Sequence, residues 1–332
     1  MDTGPEISII IPTYNRRPQL QRCLSALSRQ SVGQEALEVI VVDDGGTDGT
    51  AAAVAEAAPS LGVPVRLVSQ ANAGANAARN RGIEIAAAPL LLIINDDTIA
   101  TPSLVAEHLR MHRAHPKETV AVLGRMVISP DLPFSHFHAL HHEASFAPLA
   151  GQHELHWSAF LTSNLSVKRR LLGPENRFNE RLRWHEDIEL GERLARQGLT
   201  LLYNADALAF HDHLLTEADY FRIADKDGRA LAEWYGTRPD LLLELTALGL
   251  CSASLGTRGF RHAIADAAIT HATFGAWTHF GRALADWSPS LARVVYRKLF
   301  QWRRRRAVEA GLAAISARTR TPSGTRHQAA AG

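Results

Sequence analysis

The sequence predicts an α/β fold with a mostly parallel central sheet covered by helices on both faces, followed by a C-terminal helical extension. Three observations predict it. Short, near-continuous apolar runs alternate with helical stretches through the first hundred residues; polar and acidic clusters follow those runs directly; and from Thr216 onward the pattern is helical. Strands buried on both faces read as unbroken Val/Ile/Leu runs, which is the mark of a parallel sheet between two helical layers.

The elements follow in order. Ile7 to Ile11 is a β-rich run ending at Pro12, and Leu20 to Gln30 places Leu20, Cys23, Leu24 and Leu27 on one helical face. Leu37 to Val42 is a second strand, followed by a Gly/Asp loop and an Ala-rich helix over Thr50 to Ala58. Val65 to Val68, a helix over Asn76 to Ala87, and Leu90 to Ile94 continue the alternation. Val120 to Ile128 is a further strand, 129–156 is irregular, and Ser158 to Val167 returns to strand character. Glu186 to Gln197 is an amphipathic helix that Gly198 stops, before two short strands at Leu199 to Tyr203 and Ala207 to His211. Thr216 with Asp219 resembles a helix N-terminal box. The expected division is 1–235 as one α/β domain (halves about 1–128 and 129–235), 236–315 as helices, and 316–332 as a polar, disordered tail.

At 332 residues with 46% hydrophobic content the chain is long and apolar enough for a large buried core. Its 36 basic residues nearly balance 34 acidic ones, so the net charge of +2 gives no argument for a nucleic-acid partner. Two cysteines, Cys23 and Cys251, cannot build a disulfide framework or a thiolate metal site, which fits a reducing compartment. No basic-then-apolar leader and no run of eighteen apolar residues is present, so a cytoplasmic protein is expected.

Ligands of open α/β sheets collect at the carboxyl ends of the strands. There the sequence places Pro12-Thr13-Tyr14-Asn15-Arg16, then Asp43-Asp44-Gly45-Gly46, then Asn95-Asp96-Asp97. Adjacent carboxylates repel unless a cation or donor compensates them. Hard oxygen ligands of this kind suit Mg²⁺ or Mn²⁺ alongside substrate phosphates. The alternative is that Asp96-Asp97 caps a helix starting near Thr101.

Four blocks occur in order: Ser8-Ile-Ile-Ile-Pro-Thr-Tyr-Asn-Arg, Glu38-Val-Ile-Val-Val-Asp-Asp-Gly-Gly-Thr-Asp-Gly-Thr, Asn72-Ala-Gly-Ala-Asn-Ala-Ala-Arg-Asn-Arg-Gly-Ile and Leu91-Leu-Ile-Ile-Asn-Asp-Asp-Thr. Together they resemble glycosyltransferase family 2, over roughly residues 6–235 and most strongly before residue 100. The resemblance implies the GT-A fold, a Rossmann-like sheet that binds a nucleoside-diphosphate sugar, and inverting transfer of the sugar to a hydroxyl acceptor. It implies that Pro12, Thr13, Tyr14 and Asn15 lie on the nucleotide side, with Asp44 accepting from the base. It puts Arg79 near the nucleotide or diphosphate, Asp96 near ribose and metal, and Asp97 on the metal. Many members carry a third acid where this chain has Asn95, which moves the metal load to Asp97.

Later blocks resemble the family's acceptor side: Thr162-Ser-Asn-Leu-Ser-Val-Lys-Arg, Arg177-Phe-Asn-Glu and His185-Glu-Asp-Ile-Glu-Leu-Gly-Glu-Arg-Leu. Matching positions gives Asp187 the role of catalytic base, with Glu186 as its neighbour or an acceptor-binding group. The alternative is that both carboxylates merely suit a helix N-terminus. Within Phe210-His211-Asp212-His213, the resemblance favours His211 over His213 as a second metal ligand. The histidines at 136, 138, 141, 142, 153 and 156 match no standard zinc spacing and are expected in a loop over the acceptor site.

Near the end, Val294-Val-Tyr-Arg-Lys-Leu-Phe-Gln-Trp-Arg-Arg-Arg-Arg has two readings: a basic, aromatic helix lying on the inner face of a membrane, or a packed helix with a solvated basic end. The C-terminal helices are expected to serve acceptor binding, membrane contact or homo-oligomerisation. Two rival functions are a nucleotidyltransferase and a non-catalytic nucleotide-sugar-binding scaffold. The first lacks the Gly-rich, basic triphosphate loop expected after the first strand, and the second leaves Asp97 and Asp187 without a purpose.

Overall fold

The computed structural model describes residues 4–238, 240 and 268–320, and the chain divides into two compact units at Thr216/Glu217. Cys251, the middle of the expected helical extension and the expected tail beyond Arg320 lie outside the described residues.

The first unit is built on one nine-stranded sheet. Its strands are β1 (Ile7–Thr13), β2 (Leu37–Asp43), β3 (Val65–Ser69), β4 (Leu90–Ile94), β5 (Thr98–Ala100), β6 (Val120–Ile128), β7 (Glu154–Leu155), β8 (Asn164–Lys168) and β9 (Thr200–His211). They lie in the order β3-β2-β1-β4-β8-β6-β9-β5, with β7 also paired to β9. The first four are mutually parallel; β8 enters antiparallel between β4 and β6, and β6 and β9 run parallel.

Alternate residues of each central strand point to opposite faces, and both faces are apolar. Ile9 and Ile11, with Val39, Val41, Leu92 and Ile94, pack under helices α1 (Arg17–Leu27), α2 (Thr50–Ala57) and α4 (Leu104–Ala114). Ile10, Ile40, Val42, Leu91 and Ile93 pack under α3 (Ala75–Ile85) and α5 (Glu186–Ala195). Each fully buried aliphatic side chain contributes about 1.5–3 kcal/mol, which is why unbroken apolar runs here make sheet.

Three sequence readings are corrected. The alternative in which Asp96-Asp97 caps a helix starting near Thr101 falls, because that helix starts at Leu104 and the three-residue strand β5 follows Asp97 directly. The strand expected over Ser158 to Val167 begins only at Asn164; Trp157–Ala159 is a 3₁₀ turn packed beneath α5. The two short strands expected at Leu199 to Tyr203 and Ala207 to His211 are one strand, β9, whose register against β6 shifts between Gly124 and Arg125. The irregular stretch after Ile128 contains short helical turns between His136 and Leu149.

The second unit consists, among the described residues, of α6 (Glu217–Thr237), α7 (Phe274–Trp287) and α8 (Pro289–Arg320), so helix continues past the expected end at 315. Its arginines are largely paired within the unit: Arg303 grips Asp225 through two bonds of 2.7 Å, Arg304 meets Asp227 at 3.0 Å, and Arg306 meets Glu309 at 2.9 Å. No described helix is long and apolar enough to cross a membrane.

Candidate functional site

The carboxyl ends of β1, β2 and β4 open onto a cleft of about 270 Å³ lined by Pro12, Thr13, Tyr14, Arg16, Asp44, Ala75, Arg79, Asn95, Asp96 and Asp97. A larger groove of about 770 Å³ beside α3 is lined by residues such as Ala77, Arg81 and Arg177, without a pair of adjacent carboxylates. Chemistry rather than size therefore selects the smaller cleft.

Asp44 shapes its floor. Its Oδ1 accepts from the Gln70 side chain (2.8 Å) and the Ala73 amide (2.9 Å), and its Oδ2 from the Gly74 amide (2.7 Å). These bonds tie the end of β2 to the start of α3. Gly74 has φ +101°, and a Cβ there would collide with the Arg183 guanidinium, so the turn requires glycine. Asn15, with φ 52°, accepts from the Thr47 amide at 2.7 Å and fixes the loop after β1, while Tyr14 stands 48% exposed at the cleft's edge.

Asp96 and Asp97 are both buried. Thr13 donates to Asp96 Oδ2 at 2.9 Å. Arg16 bridges the pair, with Nε 2.9 Å from Asp96 Oδ1 and Nη2 2.6 Å from Asp97 Oδ2. Burial pushes the Asp96 carboxyl up to about 6, with Arg16 opposing that shift and Asp97 adding to it. The antiparallel pairing of β5 with β9 sets Thr98 opposite His211. This brings the imidazole to Asp97 across more than a hundred residues of chain, with Nε2 3.7 Å from Asp97 Oδ2. His213, the alternative, meets His211 edge-on, at 5.9 Å between ring centres, and its carbonyl lies 3.0 Å from His138 Nε2.

The residues fit a divalent cation. Among the described residues Asp97 Oδ1 and His211 Nδ1 are buried without a hydrogen-bond partner, and a carboxylate with a nearby imidazole suits Mn²⁺ or Mg²⁺. Burial lowers the His211 pKa, which favours the neutral ring that can ligate. Among the described residues no three His, Cys, Asp or Glu side chains are arranged to hold a metal by themselves. The histidine-rich stretch does reach this place: His142 stacks on His211 with ring centres 5.0 Å apart and planes 8° from parallel.

The second acidic pair begins α5. Arg79, buried on α3 and in the wall of the cleft, donates to Asn76 Oδ1 (2.8 Å) and pairs with Glu186 Oε1 (2.7 Å). Its guanidinium lies 5.6 Å from the centre of the Phe178 ring. Among the described residues Asp187 accepts from two backbone donors, Ile188 N–H at 2.8 Å and Thr162 N–H at 3.3 Å, and from no side chain. Burial, with the neighbouring Glu186 charge adding to it, pushes the Asp187 carboxyl up to about 6, against Arg79 and the two amides. Gly191 lets α5 lie close: a Cβ there would stand 2.6 Å from Phe160 Cβ and 2.7 Å from the Trp157 carbonyl oxygen. His185, just before the helix, takes a left-handed φ of 60°, a conformation uncommon for a residue with a side chain.

Pro12, Thr13, Tyr14, Asp44, Arg79, Asp96 and Asp97 thus share one cleft, and Asn15 braces its loop. His211 joins Asp97, and Glu186 with Asp187 is linked to the cleft through Arg79. The sequence reading omitted Arg16 as a site residue. Its only signal was its place directly after Pro12-Thr13-Tyr14-Asn15, because its partners are remote in sequence.

Residues 8–170 match the model of the family described as Glycosyl transferase family 2. The chain is 32% identical over 233 residues to the validoxylamine A glucosyltransferase of Streptomyces hygroscopicus subsp. jinggangensis (strain 5008), covering 61% of this chain and 54% of that protein. It spans about half the length of the validoxylamine A glucosyltransferases it matches. Among solved structures it resembles the mannosyltransferase PcManGT from Pyrobaculum calidifontis, determined with GDP-Man and Mn²⁺, with TM-score 0.59, 22% identity, and coverage of 94% of this chain and 88% of that one. It also resembles S. aureus TarS 1–349 in complex with UDP-GlcNAc, with TM-score 0.52, 17% identity, and coverage of 93% and 92%. At these identities the structural likeness concerns the fold, which is GT-A. The family match and the strand-end blocks coincide, and residues 8–170 form a glycosyl transferase family 2 domain.

Proposed function

We propose that this protein transfers a sugar from a nucleoside-diphosphate sugar to a hydroxyl acceptor, with inversion at the anomeric carbon. The observation that carries the reading is the separation of two acidic pairs around Arg79: one fit for a cation, the other leaving Asp187 with backbone donors alone. Two similar structures were determined with GDP-Man and Mn²⁺ and with UDP-GlcNAc, which supports a nucleotide-sugar donor.

Thr13, Tyr14 and Asn15 with Asp44 form the nucleotide side, and Asp96 takes the ribose. Asp97 and His211 are the residues that would hold Mn²⁺ or Mg²⁺. A bound ion supplies charge neutralisation for the departing diphosphate. Asp187 accepts the proton of the acceptor hydroxyl as its oxygen forms the new bond to the anomeric carbon and the bond to the diphosphate oxygen breaks. Glu186 stays anchored by Arg79 and binds the acceptor beside the base. A base near 6 removes little proton in advance at neutral pH, so orientation of the acceptor supplies much of the rate. The catalytic domain extends to about residue 235, and the acceptor is a glycan, a lipid-linked precursor or a small metabolite. The internal pairing of Arg303, Arg304 and Arg306 supports a packed α8 over one lying on a membrane.

The test is a binding panel of UDP-, GDP- and dTDP-sugars with and without Mn²⁺, followed by transfer assays with the donor that binds. Binding of at least one donor, strengthened by Mn²⁺, is expected. Failure of every donor to bind removes the donor half of the reading.

A further inference from the structure

Arg16 stands where a cation is needed. Its Nη2 lies 2.6 Å from Asp97 Oδ2, the same oxygen that His211 Nε2 approaches at 3.7 Å. The other oxygen, Asp97 Oδ1, is buried without a partner. A cation seated between Asp97 and His211 Nε2 would meet the guanidinium on Oδ2, the oxygen that faces the ring, while Oδ1 offers it a second contact from the same carboxylate.

We propose that Arg16 is a built-in competitor for the divalent ion. It holds Asp97 Oδ2 until the ion displaces it, and then pairs with the donor's diphosphate in the same cleft. The inference rests on the reading of this cleft as a metal and donor site. Three observations carry it beyond that reading. The Arg16 side chain is 29% exposed against 8% for each aspartate, so it lies on the solvent side and can leave without opening the core. Thr13 independently donates to Asp96, so that carboxylate keeps a partner when Arg16 moves. Arg16 also shares the cleft with Tyr14 and Asp44 on the nucleotide side, within the volume an incoming anion would enter.

The consequence is a coupling between ligands. A diphosphate gives Arg16 a second anionic partner and so frees Asp97, while an ion on Asp97 releases Arg16 toward the diphosphate. Such coupling is reciprocal by linkage. A permanent structural ion pair would give the opposite sign for metal binding, because removing it would disorder the carboxylates that the ion needs.

The test is titration of Mn²⁺ alone, and of Mn²⁺ with UDP or GDP, followed by the paramagnetic resonance signal of free Mn²⁺. Wild type is compared with Arg16→Met, which keeps the stem and removes the charge. Mn²⁺ alone is expected to bind the variant at least about tenfold tighter, since a charge-assisted bond no longer competes. The enhancement by UDP or GDP is expected to shrink. Equal or weaker binding of Mn²⁺ alone by Arg16→Met overturns the proposal. Because that variant leaves two buried carboxylates without a counter-charge, Asp96→Asn is also compared with the double variant Arg16→Met/Asp96→Asn. Tighter Mn²⁺ binding by the double variant supports the proposal, and equality overturns it. Absence of Mn²⁺ binding in every form, with either nucleotide, overturns both this inference and the metal reading. Binding by wild type with no gain on losing Arg16 overturns this inference alone.

Discussion

Asp96-Asp97 at a strand end and Glu186-Asp187 at a helix start each meet one arginine, and the two arginines are shared differently. Arg16 touches both members of the first pair, whereas Arg79 touches Glu186 and not Asp187. Burial raises a carboxyl in each pair to about 6, so acidity alone does not distinguish them. Contact with a cationic side chain does. The first pair is arranged around positive charge and the second keeps one carboxylate clear of it, which suits cation binding and proton acceptance respectively. Arg79 reaches from the cleft wall to Glu186 and so links the two acidic pairs.

The largest expected effect comes from the member without a cation. Asp187→Asn should lower transfer by about 10²–10⁴-fold while donor affinity stays close to wild type, as for loss of a positioned base. Steady-state transfer with a donor-binding titration checks this, and unchanged transfer would remove the base assignment. Next comes the acid limb of the rate. Because burial raises the Asp187 pKa in the free enzyme, the carboxylate is present above about 6 and lost below it, so kcat/KM should fall about tenfold per pH unit below that point. The acid limb should vanish from the residual activity of Asp187→Asn; persistence there would assign it elsewhere.

Arg79→Met probes the link between the pairs. Arg79 holds the Asp187 pKa down, so its loss should move the midpoint of the acid limb to higher pH. A midpoint that stays put or moves down would mean that Arg79 serves only packing. Gly191→Ala is smaller and geometric. The added methyl meets Phe160 Cβ and the Trp157 carbonyl, so α5 must shift, at a cost of about 1–3 kcal/mol in unfolding free energy. Transfer should fall while Mn²⁺-dependent donor binding holds, since the first pair is not on α5. Equal losses in both would show that the pairs are not independent.

A stability change must be separated from the acid limb. His108 and His112 are buried around the Ser166 hydroxyl, at 2.7 and 2.8 Å. Burial depresses their pKa values to about 4 and about 3. The unfolded chain takes up these protons near 6.5 and the folded chain does not, so stability is full above about 6.5 and falls as pH drops toward 4. The raised Asp96 and Asp187 carboxyls act in the opposite direction below about 6. The histidine contribution is therefore the part of the loss between pH 7 and pH 5 that His108→Gln and His112→Gln remove in denaturant unfolding; an unchanged pH dependence in both variants would contradict the buried, neutral assignment.

The parallel half of the sheet was legible because its signal is local: Ile7 to Ile11, Leu37 to Val42 and Leu90 to Ile94 are unbroken apolar runs that end in polar residues. The cleft residues at those ends were legible for the same reason. What escaped depends on partners remote in sequence. Three residues, Thr98–Ala100, are too few to show a period and become a strand only because β9 pairs with them. Asn204 and Asp206 divide the apolar pattern of β9, and the sheet bridges them through a register shift that no composition announces. Arg16 reads as an ordinary loop charge until the fold brings it to carboxylates some eighty residues away.

The division of labour between the two pairs is tested most directly by one crossed measurement: Mn²⁺-dependent donor binding in Asp97→Asn and in Asp187→Asn. Asp97→Asn is expected to lose the Mn²⁺ dependence, and Asp187→Asn to keep it while transfer is lost. Retention in Asp97→Asn, or its loss in a folded Asp187→Asn, would contradict the assignment of cation and proton to separate pairs.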